Sequence, residues 1–271
     1  MDFTDFGGDG PTLHFAHANA YPPASYRRVL QPLTTGHRVK CIHWLPLVQP
    51  DHHPHFRRWS ELVPDLITFI EQECDPPVRA AGHSMGATLT LLAAVHRPDL
   101  FRGLALIDPV ILPFRYVLSL RLTPERWRSR VPIIAKALRR PDRWTTRQEA
   151  FDFHRRARVF RRLDDEALWD YINAGTRETG DGQFMLSFPR EWEARIYGTC
   201  PWVWPQLKRC RTPMLAIRGA HSDTVSTQSW MRWQRLQPQA RFVEIADAGH
   251  LVPMERPQAI SNAIAEFFAA T

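Results

Sequence analysis

Residues 78–96, VRAAGHSMGATLTLLAAVH, combine the patterns of a strand, a tight turn and a helix, and this combination is the strongest indication of the fold. Residues 78–82 are typical of a short buried strand, and residues 85–96 are typical of a helix rich in alanine and leucine. The turn between them carries the pattern G-x-S-x-G, with Ser84 at its centre. On such a strand–turn–helix unit the serine hydroxyl projects above the edge of the sheet, and small neighbours are needed because strand and helix pass close together. This context makes Ser84 the candidate nucleophile.

A serine hydroxyl is a weak nucleophile at neutral pH and needs a base beside it. His250, in the run AGH after a predicted last strand at residues 241–245, is in position to be that base. The base needs a carboxylate that fixes its tautomer and stabilises the imidazolium. Asp223 follows the preceding predicted strand, residues 214–218, in the run RGAHSD. The chain order Ser84, Asp223, His250 is the one expected for a serine at this kind of turn.

Each of these residues also has a plainer interpretation, as a turn serine, a loop histidine or a helix cap. A second candidate for the acid is Asp108, which directly follows the predicted strand at residues 103–107. Asp108 stands before Pro109, and this dipeptide is also typical of a simple turn. The order and the strand-end positions taken together favour Asp223, with Asp108 as the alternative.

The developing negative charge on a reacting carbonyl oxygen requires two backbone N–H donors. One donor is expected from the residue after the nucleophile, Met85. The other is expected from the loop HANAYP, residues 17–22, which follows the first predicted strand. Within this loop the amide of Tyr21 is the first choice and Asn19 the second.

Strand-like and helix-like runs alternate on both sides of a central segment, a pattern that predicts a mostly parallel sheet with helices on both faces. In residues 114–211 the strand patterns vanish, whereas helix-start signals recur and six of the ten tryptophans are found. We therefore predict an α/β core formed by residues 1–113 and 212–271. Residues 114–211 are predicted to form a helical cap inserted after the fourth strand.

The runs GHSMG, RGAHSD and DAGHLVPMERP resemble the three catalytic signatures of the α/β-hydrolase superfamily, and the resemblance covers nearly the whole chain. The runs HFAHANAYPPASY, LIDPVILP and DGQFMLSFPREWEARIY are similar to a bacterial branch of capped serine hydrolases whose loop reads HANGFP, with glycine in place of Ala20. The resemblance implies the α/β-hydrolase fold. Superfamily sheets usually begin with two further strands, for which the residues before Thr12 are too few. We therefore expect about six strands.

The net charge of +7 is unevenly distributed, because residues 114–211 contain 21 Lys and Arg against 12 Asp and Glu. Such a segment either attracts an anionic substrate or surface or is a solvated helical face, and the excess of 32 Arg over 3 Lys favours the solvated face. No nucleic-acid-reading motif is present, so no nucleic-acid partner is expected. The sequence leaves the oligomeric state open.

No apolar run reaches the roughly 20 residues that cross a bilayer, and the N-terminal residues show no signal-peptide pattern. We therefore expect a cytoplasmic protein without stable membrane insertion. The histidine-rich run DHHPH, residues 51–55, is spaced too tightly for one side of a helix and is interrupted by Pro54, so no metal is assigned. No phosphate-cradling or dinucleotide motif is found, and no cofactor is expected.

Together these residues predict a serine hydrolase that cleaves a small-molecule ester or related acyl compound through an acyl-enzyme, most simply a carboxylesterase. The tryptophans of residues 114–211 either line an apolar pocket or pack the interior of the cap. Within the fold a C–C bond hydrolase, thioesterase, lactonase or cofactor-free haloperoxidase would use the same residues. Two other classes are a non-catalytic small-molecule binding protein on this scaffold and, less favoured, a peripheral protein held to anionic lipid by the basic cap.

Overall fold

A computed structural model describes residues 2–50 and 56–271. Within these residues the main sheet has seven strands, in the spatial order β1-β3-β2-β4-β5-β9-β10. These strands are β1 Phe3–Gly7, β2 Thr12–Ala16, β3 Arg38–Ile42, β4 Val78–His83, β5 Phe101–Ile107, β9 Met214–Gly219 and β10 Arg241–Ile245. β1 runs antiparallel to β3, and all the other neighbouring strands are parallel. The predicted α/β-hydrolase architecture is confirmed, with a sheet one strand larger than the expected six.

The additional strand, β1, is possible because it does not need a hairpin partner from the N-terminal residues. It skips β2, which follows it in the chain, and pairs with β3 at the edge of the sheet. Gly7 and Gly8, both at positive φ, provide the turn that leads away from it. The described residues before Thr12 thus contribute one strand to this sheet.

The interior strands are buried on both faces, as expected of parallel strands covered by helices. Along β5, Leu104 and Leu106 contact one apolar cluster, whereas Ala105 and Ile107 contact the other. The helices of the core are α1 Arg27–Leu33, α2 Leu45–Val48, α3 Val63–Glu73, α4 Met85–His96, α12 Thr227–Leu236, α13 Val252–Glu255 and α14 Pro257–Ala269. Side chains of α3, α4 and α12 belong to the first cluster, and those of α1 and α14 belong to the second.

The segment between β5 and β9, residues 114–211, is mainly helical. Its helices are α5 Phe114–Leu122, α6 Glu125–Arg128, α7 Pro132–Arg139, α8 Arg147–Arg155, α9 Asp165–Gly175, α10 Arg190–Tyr197 and α11 Trp204–Arg209. It also contains a small antiparallel sheet, which the sequence pattern did not predict, of β6 Arg143–Trp144, β7 Thr176–Glu178 and β8 Phe184–Leu186. Counted with β1, this inserted segment follows the fifth strand of the chain.

The histidine-rich run at residues 51–55 lies outside the described residues. In the parts of the chain that the structure does describe, no helix is both long enough and apolar enough to cross a bilayer.

Two histidines buried at β2 make the fold sensitive to acid. Burial lowers the pKa of His14 and of His17 from 6.5 to about 3. Because the unfolded chain binds these protons near pH 6.5 and the folded chain does not, the free energy of unfolding falls as the pH drops below 6.5. We expect a loss of about 2 kcal/mol per histidine between about pH 7 and pH 5, measured by urea denaturation.

A variant tests this assignment directly. The ring of His14 packs against that of Phe69 at a centroid distance of 5.3 Å, so phenylalanine is a suitable apolar replacement. In His14→Phe the contribution of His14 is absent, and the decline of unfolding free energy towards pH 5 should be shallower by about 2 kcal/mol. An unchanged decline would show that the acid sensitivity has another origin.

Candidate active site

The turn between β4 and α4 holds Ser84 in a strained conformation. Its φ is 53° and its ψ is −116°, a region that residues other than glycine rarely adopt. Two glycines permit the turn: a Cβ on Gly86 would lie 2.0 Å from the carbonyl oxygen of Ala16, and one on Gly82 would lie 2.7 Å from the amide nitrogen of Ala87. The tight approach of strand and helix therefore depends on the glycines of the G-x-S-x-G pattern.

The structure brings Ser84 and His250 together. The Nε2 atom of His250 lies 2.9 Å from the Oγ atom of Ser84, a hydrogen-bond distance between residues 166 positions apart in the chain. Ser84 is 7% exposed, and the His250 side chain is 22% exposed. A hydroxyl paired with an imidazole in this way can be deprotonated as it attacks an electrophile.

The carboxylate that faces the other nitrogen of His250 belongs to Asp108. Its Oδ2 atom lies 3.7 Å from His250 Nδ1, and the side chain is fully buried at the end of β5. Neither of these two atoms has a hydrogen-bond partner in the described structure, so a small inward movement would satisfy both. The other oxygen, Oδ1, accepts a 2.6 Å hydrogen bond from the hydroxyl of Ser222, which holds the carboxylate in place.

Asp223, the first choice from the sequence, occupies a different position. Its side chain is exposed, and within the described residues no contact of 4.0 Å or less joins its carboxylate to His250. The loop after β9 instead contributes the hydroxyl of Ser222 to Asp108. The geometry therefore places Asp108, the alternative, behind His250, and Asp223 acts on the imidazole only as a more distant charge.

The charges around His250 favour its protonated form. Burial by itself lowers the pKa of the imidazole, but the Asp108 carboxylate outweighs burial, and the result is a pKa raised above 6.5. For Asp108 burial raises the pKa of the carboxyl, while His250 and the Ser222 hydroxyl oppose that rise. An imidazole that is a stronger base than usual is suited to take a proton from Ser84.

The two N–H donors were expected from the loop after β2 and from Met85, which is the first residue of α4. The Tyr21 amide, the first choice from the sequence, donates to the Ala18 carbonyl at 3.3 Å and so closes a turn. The Asn19 amide has no hydrogen-bond partner among the residues described, and the Asn19 side chain donates to the Glu193 carbonyl at 3.2 Å. Asn19, the second choice, therefore has the available amide.

The same loop is tightly braced. His17 Nδ1 donates to the Ala18 carbonyl at 2.8 Å, and the indole N–H of Trp44 donates to the His17 carbonyl at 2.9 Å. Ala20, at the position of the glycine in the similar bacterial branch, has a φ of 63°. This left-handed conformation explains why glycine suits the position and why alanine there adds strain.

A buried hydrogen-bond chain, which we call the Tyr26–His83 relay, connects this loop to the loop of His250. The Ala18 amide donates to the Tyr26 hydroxyl at 3.1 Å, and that hydroxyl lies 2.8 Å from His83 Nδ1. His83 Nε2 lies 2.8 Å from the backbone carbonyl oxygen of His250. Since a carbonyl can only accept, His83 donates through Nε2 and accepts from Tyr26 through Nδ1. Burial holds the pKa of His83 well below its usual range, so the ring is neutral.

Ser84 and His250 open into a cavity of about 1410 Å³ between the core and the inserted segment. Its apolar wall includes Phe153, Phe160 and Leu112. None of the six tryptophans of residues 114–211 is among the described residues that line it. Those that are buried, such as Trp192 and Trp204, belong to a hydrophobic core. These buried tryptophans therefore pack the interior of the protein and do not line the cavity.

One part of the cavity wall is polar. Arg140 and Glu193 form an ion pair at 2.6 Å, and both side chains are largely buried. Burial lowers the pKa of the Arg140 guanidinium, but Glu193 and nearby tyrosines outweigh it and keep the group charged. The Glu193 backbone is also the acceptor for Asn19, so this pair ties the inserted segment to the loop after β2.

This fold and this arrangement of residues define the class of the protein. The model of the alpha/beta hydrolase family matches residues 7–263, and the chain belongs to that family. It is 24% identical to the uncharacterized hydrolase YugF of Bacillus subtilis, covering 94% of this chain and 89% of the relative. It is also 24% identical to the sn-1-specific diacylglycerol lipase ABHD11 of Mus musculus, covering 96% and 81% respectively.

Among solved structures, an E-2-(acetamidomethylene)succinate hydrolase superposes with a TM-score of 0.81, at 19% identity, covering 98% of this chain and 94% of that one. At this level of identity the likeness concerns the fold. It extends over the inserted segment as well as the core, because nearly the full length of both chains is covered.

Proposed function

We propose that this protein is a serine hydrolase that cleaves an ester or a related acyl compound through an acyl-enzyme. The observation that carries the proposal is the 2.9 Å contact between Ser84 Oγ and His250 Nε2 at a strained strand–helix turn. Asp108, rather than Asp223, takes the role of the acid. Its buried carboxylate faces His250 Nδ1, where it stabilises the imidazolium that forms during the reaction.

In the proposed reaction Ser84 Oγ attacks the acyl carbon while its proton passes to His250 Nε2. The carbonyl oxygen becomes negative and accepts hydrogen bonds from the backbone amides of Met85 and Asn19. His250 then gives the proton to the departing alcohol, leaving the acyl group on Ser84. A water molecule, deprotonated by His250, attacks this acyl group and releases the acid, which restores the free serine.

The substrate class is supported by the cavity and by the relatives. The cavity has room for an acyl group beyond the reacting atoms, and an apolar wall lies beside its charged groups. Two relatives are named as a diacylglycerol lipase and, in Escherichia coli, as the esterase YbfF, and both names favour an ester as the substrate. We propose that residues 114–211 act as the cap of the site, since Phe160 and Tyr197 line the same cavity as Ser84.

A fluorophosphonate probe tests the proposal, because such a probe phosphonylates only a serine that is activated as a nucleophile. We expect stoichiometric labelling, with the modification located on Ser84 by peptide mass spectrometry, and no labelling of Ser84→Ala. A panel of p-nitrophenyl esters, thioesters and lactones of different chain lengths then identifies the bond cleaved. A folded wild-type protein that is not labelled would instead indicate a binding protein without catalytic activity.

A further inference from the structure

The positive charge of the chain is concentrated in a single short stretch. Residues 114–140 contain eight Lys and Arg and one acidic residue, Glu125, so this stretch alone has a charge of +7, equal to that of the whole chain. Glu125 contacts Arg195 of α10, which lies outside the stretch. Six of the cations are exposed, and no carboxylate in the described part of the chain lies within ion-pair distance of them: Arg115, Arg121, Arg126, Arg130, Lys136 and Arg139.

The same stretch exposes large apolar side chains. The nine that are most exposed in the described chain include six from residues 114–133: Phe114, Tyr116, Leu118, Leu122, Trp127 and Ile133. Leu122 is 73% exposed, Phe114 is 51% exposed and Trp127 is 47% exposed. Single exposed apolar residues are ordinary, but a contiguous group of them indicates a surface that contacts another molecule or a membrane. We call these apolar residues and the six exposed cations the α5–α7 surface.

The apolar and basic groups of this surface are arranged as on an interfacial helix. On α5 the exposed Phe114, Leu118 and Leu122 recur every four residues and form one stripe, while Leu120 is buried on the other side of the helix. At 100° per residue, Arg115 and Arg121 fall on the two flanks of this stripe. Long basic side chains placed there can reach headgroup phosphates while the stripe enters the acyl region.

The short helix α6 and the residues just after it have the same combination of apolar and basic side chains. The guanidinium of Arg126 lies 5.0 Å from the ring centroid of Trp127, and that of Arg130 lies 6.0 Å from it. Tryptophan and arginine together are suited to the boundary between lipid headgroups and acyl chains. The surface also adjoins the active-site cavity, because Tyr116 and Ile133 belong to both.

We propose that the α5–α7 surface docks on an anionic lipid bilayer and brings the mouth of the active-site cavity to the membrane. The charge of +7 argues against a second copy as the occupant, since two such faces would repel each other. An acidic protein partner would satisfy the cations, but the exposed stripe of α5 is matched by acyl chains and the flanking arginines by phosphates. Docking itself is independent of the proposed hydrolase function, and only the delivery of substrate from the membrane rests on that function.

Vesicle cosedimentation with Ser84→Ala, which leaves the lipid intact, tests the proposal. We expect this protein to bind vesicles of phosphatidylglycerol and phosphatidylcholine in equal parts, and to bind pure phosphatidylcholine at least tenfold more weakly. Binding should weaken as ionic strength is raised from about 0.1 M to about 0.5 M. In the same background, Leu122→Ser with Trp127→Ser, and separately Arg115→Gln with Arg121→Gln and Arg126→Gln, should each lower the partition coefficient about tenfold or more.

The matched control is Met231→Ser with Arg235→Gln on α12. Met231 is 50% exposed and Arg235 is exposed, so the control removes an apolar and a basic side chain from another surface. It should bind as the Ser84→Ala parent does. Absence of binding to the anionic vesicles, equal losses in the control, or a concentration-dependent dimer that the Leu122 and Trp127 changes abolish would each overturn the proposal. Failure of the hydrolase function appears separately, as absent fluorophosphonate labelling of the wild type.

Discussion

Replacing Asp108 by asparagine is expected to lower kcat/KM for ester hydrolysis by about 10⁴-fold. The amide has nearly the volume of the carboxylate, so the fold should be retained. What is lost is the negative charge that stabilises the imidazolium of His250 and holds its Nδ1 proton in place. Asp108 is the only one of the two candidate acids that is buried against that nitrogen, at 3.7 Å. Steady-state kinetics with a p-nitrophenyl ester provide the measurement.

Asp223→Asn is the matched control, since it makes the same chemical change in the loop after β9. Its carboxylate is exposed and separated from His250, so we expect kcat/KM to remain within about threefold of the wild-type value. If Asp223→Asn proved the inactive variant and Asp108→Asn the active one, the assignment of the acid would be reversed.

The pH dependence of the two proteins gives an independent readout of the same pair. His250 must be neutral to accept the proton of Ser84, so activity falls as the pH drops through its pKa. In the wild type this pKa is raised above 6.5 by Asp108 acting against burial. The acidic limb of kcat/KM should therefore have its midpoint above 6.5, and the residual activity of Asp108→Asn should show a lower midpoint.

Replacing Gly86 by alanine is expected to lower the free energy of unfolding by about 3 kcal/mol or more. A Cβ at this position would lie 2.0 Å from the carbonyl oxygen of Ala16 and 2.6 Å from that of His17. Both are backbone atoms, so no side-chain rotation can relieve the contact, and β2 would have to separate from the start of α4. Urea denaturation measures the loss, and fluorophosphonate labelling reports whether the turn still presents Ser84.

Gly36→Ala is the control for the general effect of adding a methyl group at a glycine. Gly36 is exposed and has no positive φ, and a Cβ added to it would meet no described atom within 4 Å. We expect its unfolding free energy to change by less than about 1 kcal/mol. Equal stability of the Gly86 and Gly36 variants would refute the view that close packing at the turn requires glycine.

The sequence was informative where a function depends on a local pattern. The run around Ser84 combines strand, turn and helix signals within a few residues, so both the fold and the candidate nucleophile could be predicted from it. His250 follows the last strand and is placed by the same logic. The acid is different, because β5 and β9 are adjacent parallel strands whose ends meet at one edge of the sheet. Asp108 directly follows β5 and Asp223 lies in the loop after β9, and the sequence does not show which of the two carboxylates is directed towards His250.

Hydrophobic periodicity in the sequence reveals neither very short strands nor the packing of individual side chains. β6, β7 and β8 have only two or three residues each, too few for an alternating pattern to be recognised. β1 is not evident from the sequence because its pairing partner is not a neighbouring hairpin strand but β3, about 30 residues further along the chain. The tryptophans of residues 114–211 show the same limit, since the residue type alone does not distinguish a cavity wall from a packed interior.

The Tyr26–His83 relay restricts how the sequence around this site can change during evolution. It joins the backbone at Ala18, beside the amide of Asn19, to the backbone of His250 through two side chains. Each hydrogen bond of the relay fixes the position of the proton in the next one. Removing either side chain therefore leaves a buried polar group of the other without a hydrogen-bond partner. Amino-acid replacements at Tyr26 and His83 are therefore epistatic. A replacement accepted at one of these positions during evolution limits which residues are accepted at the other.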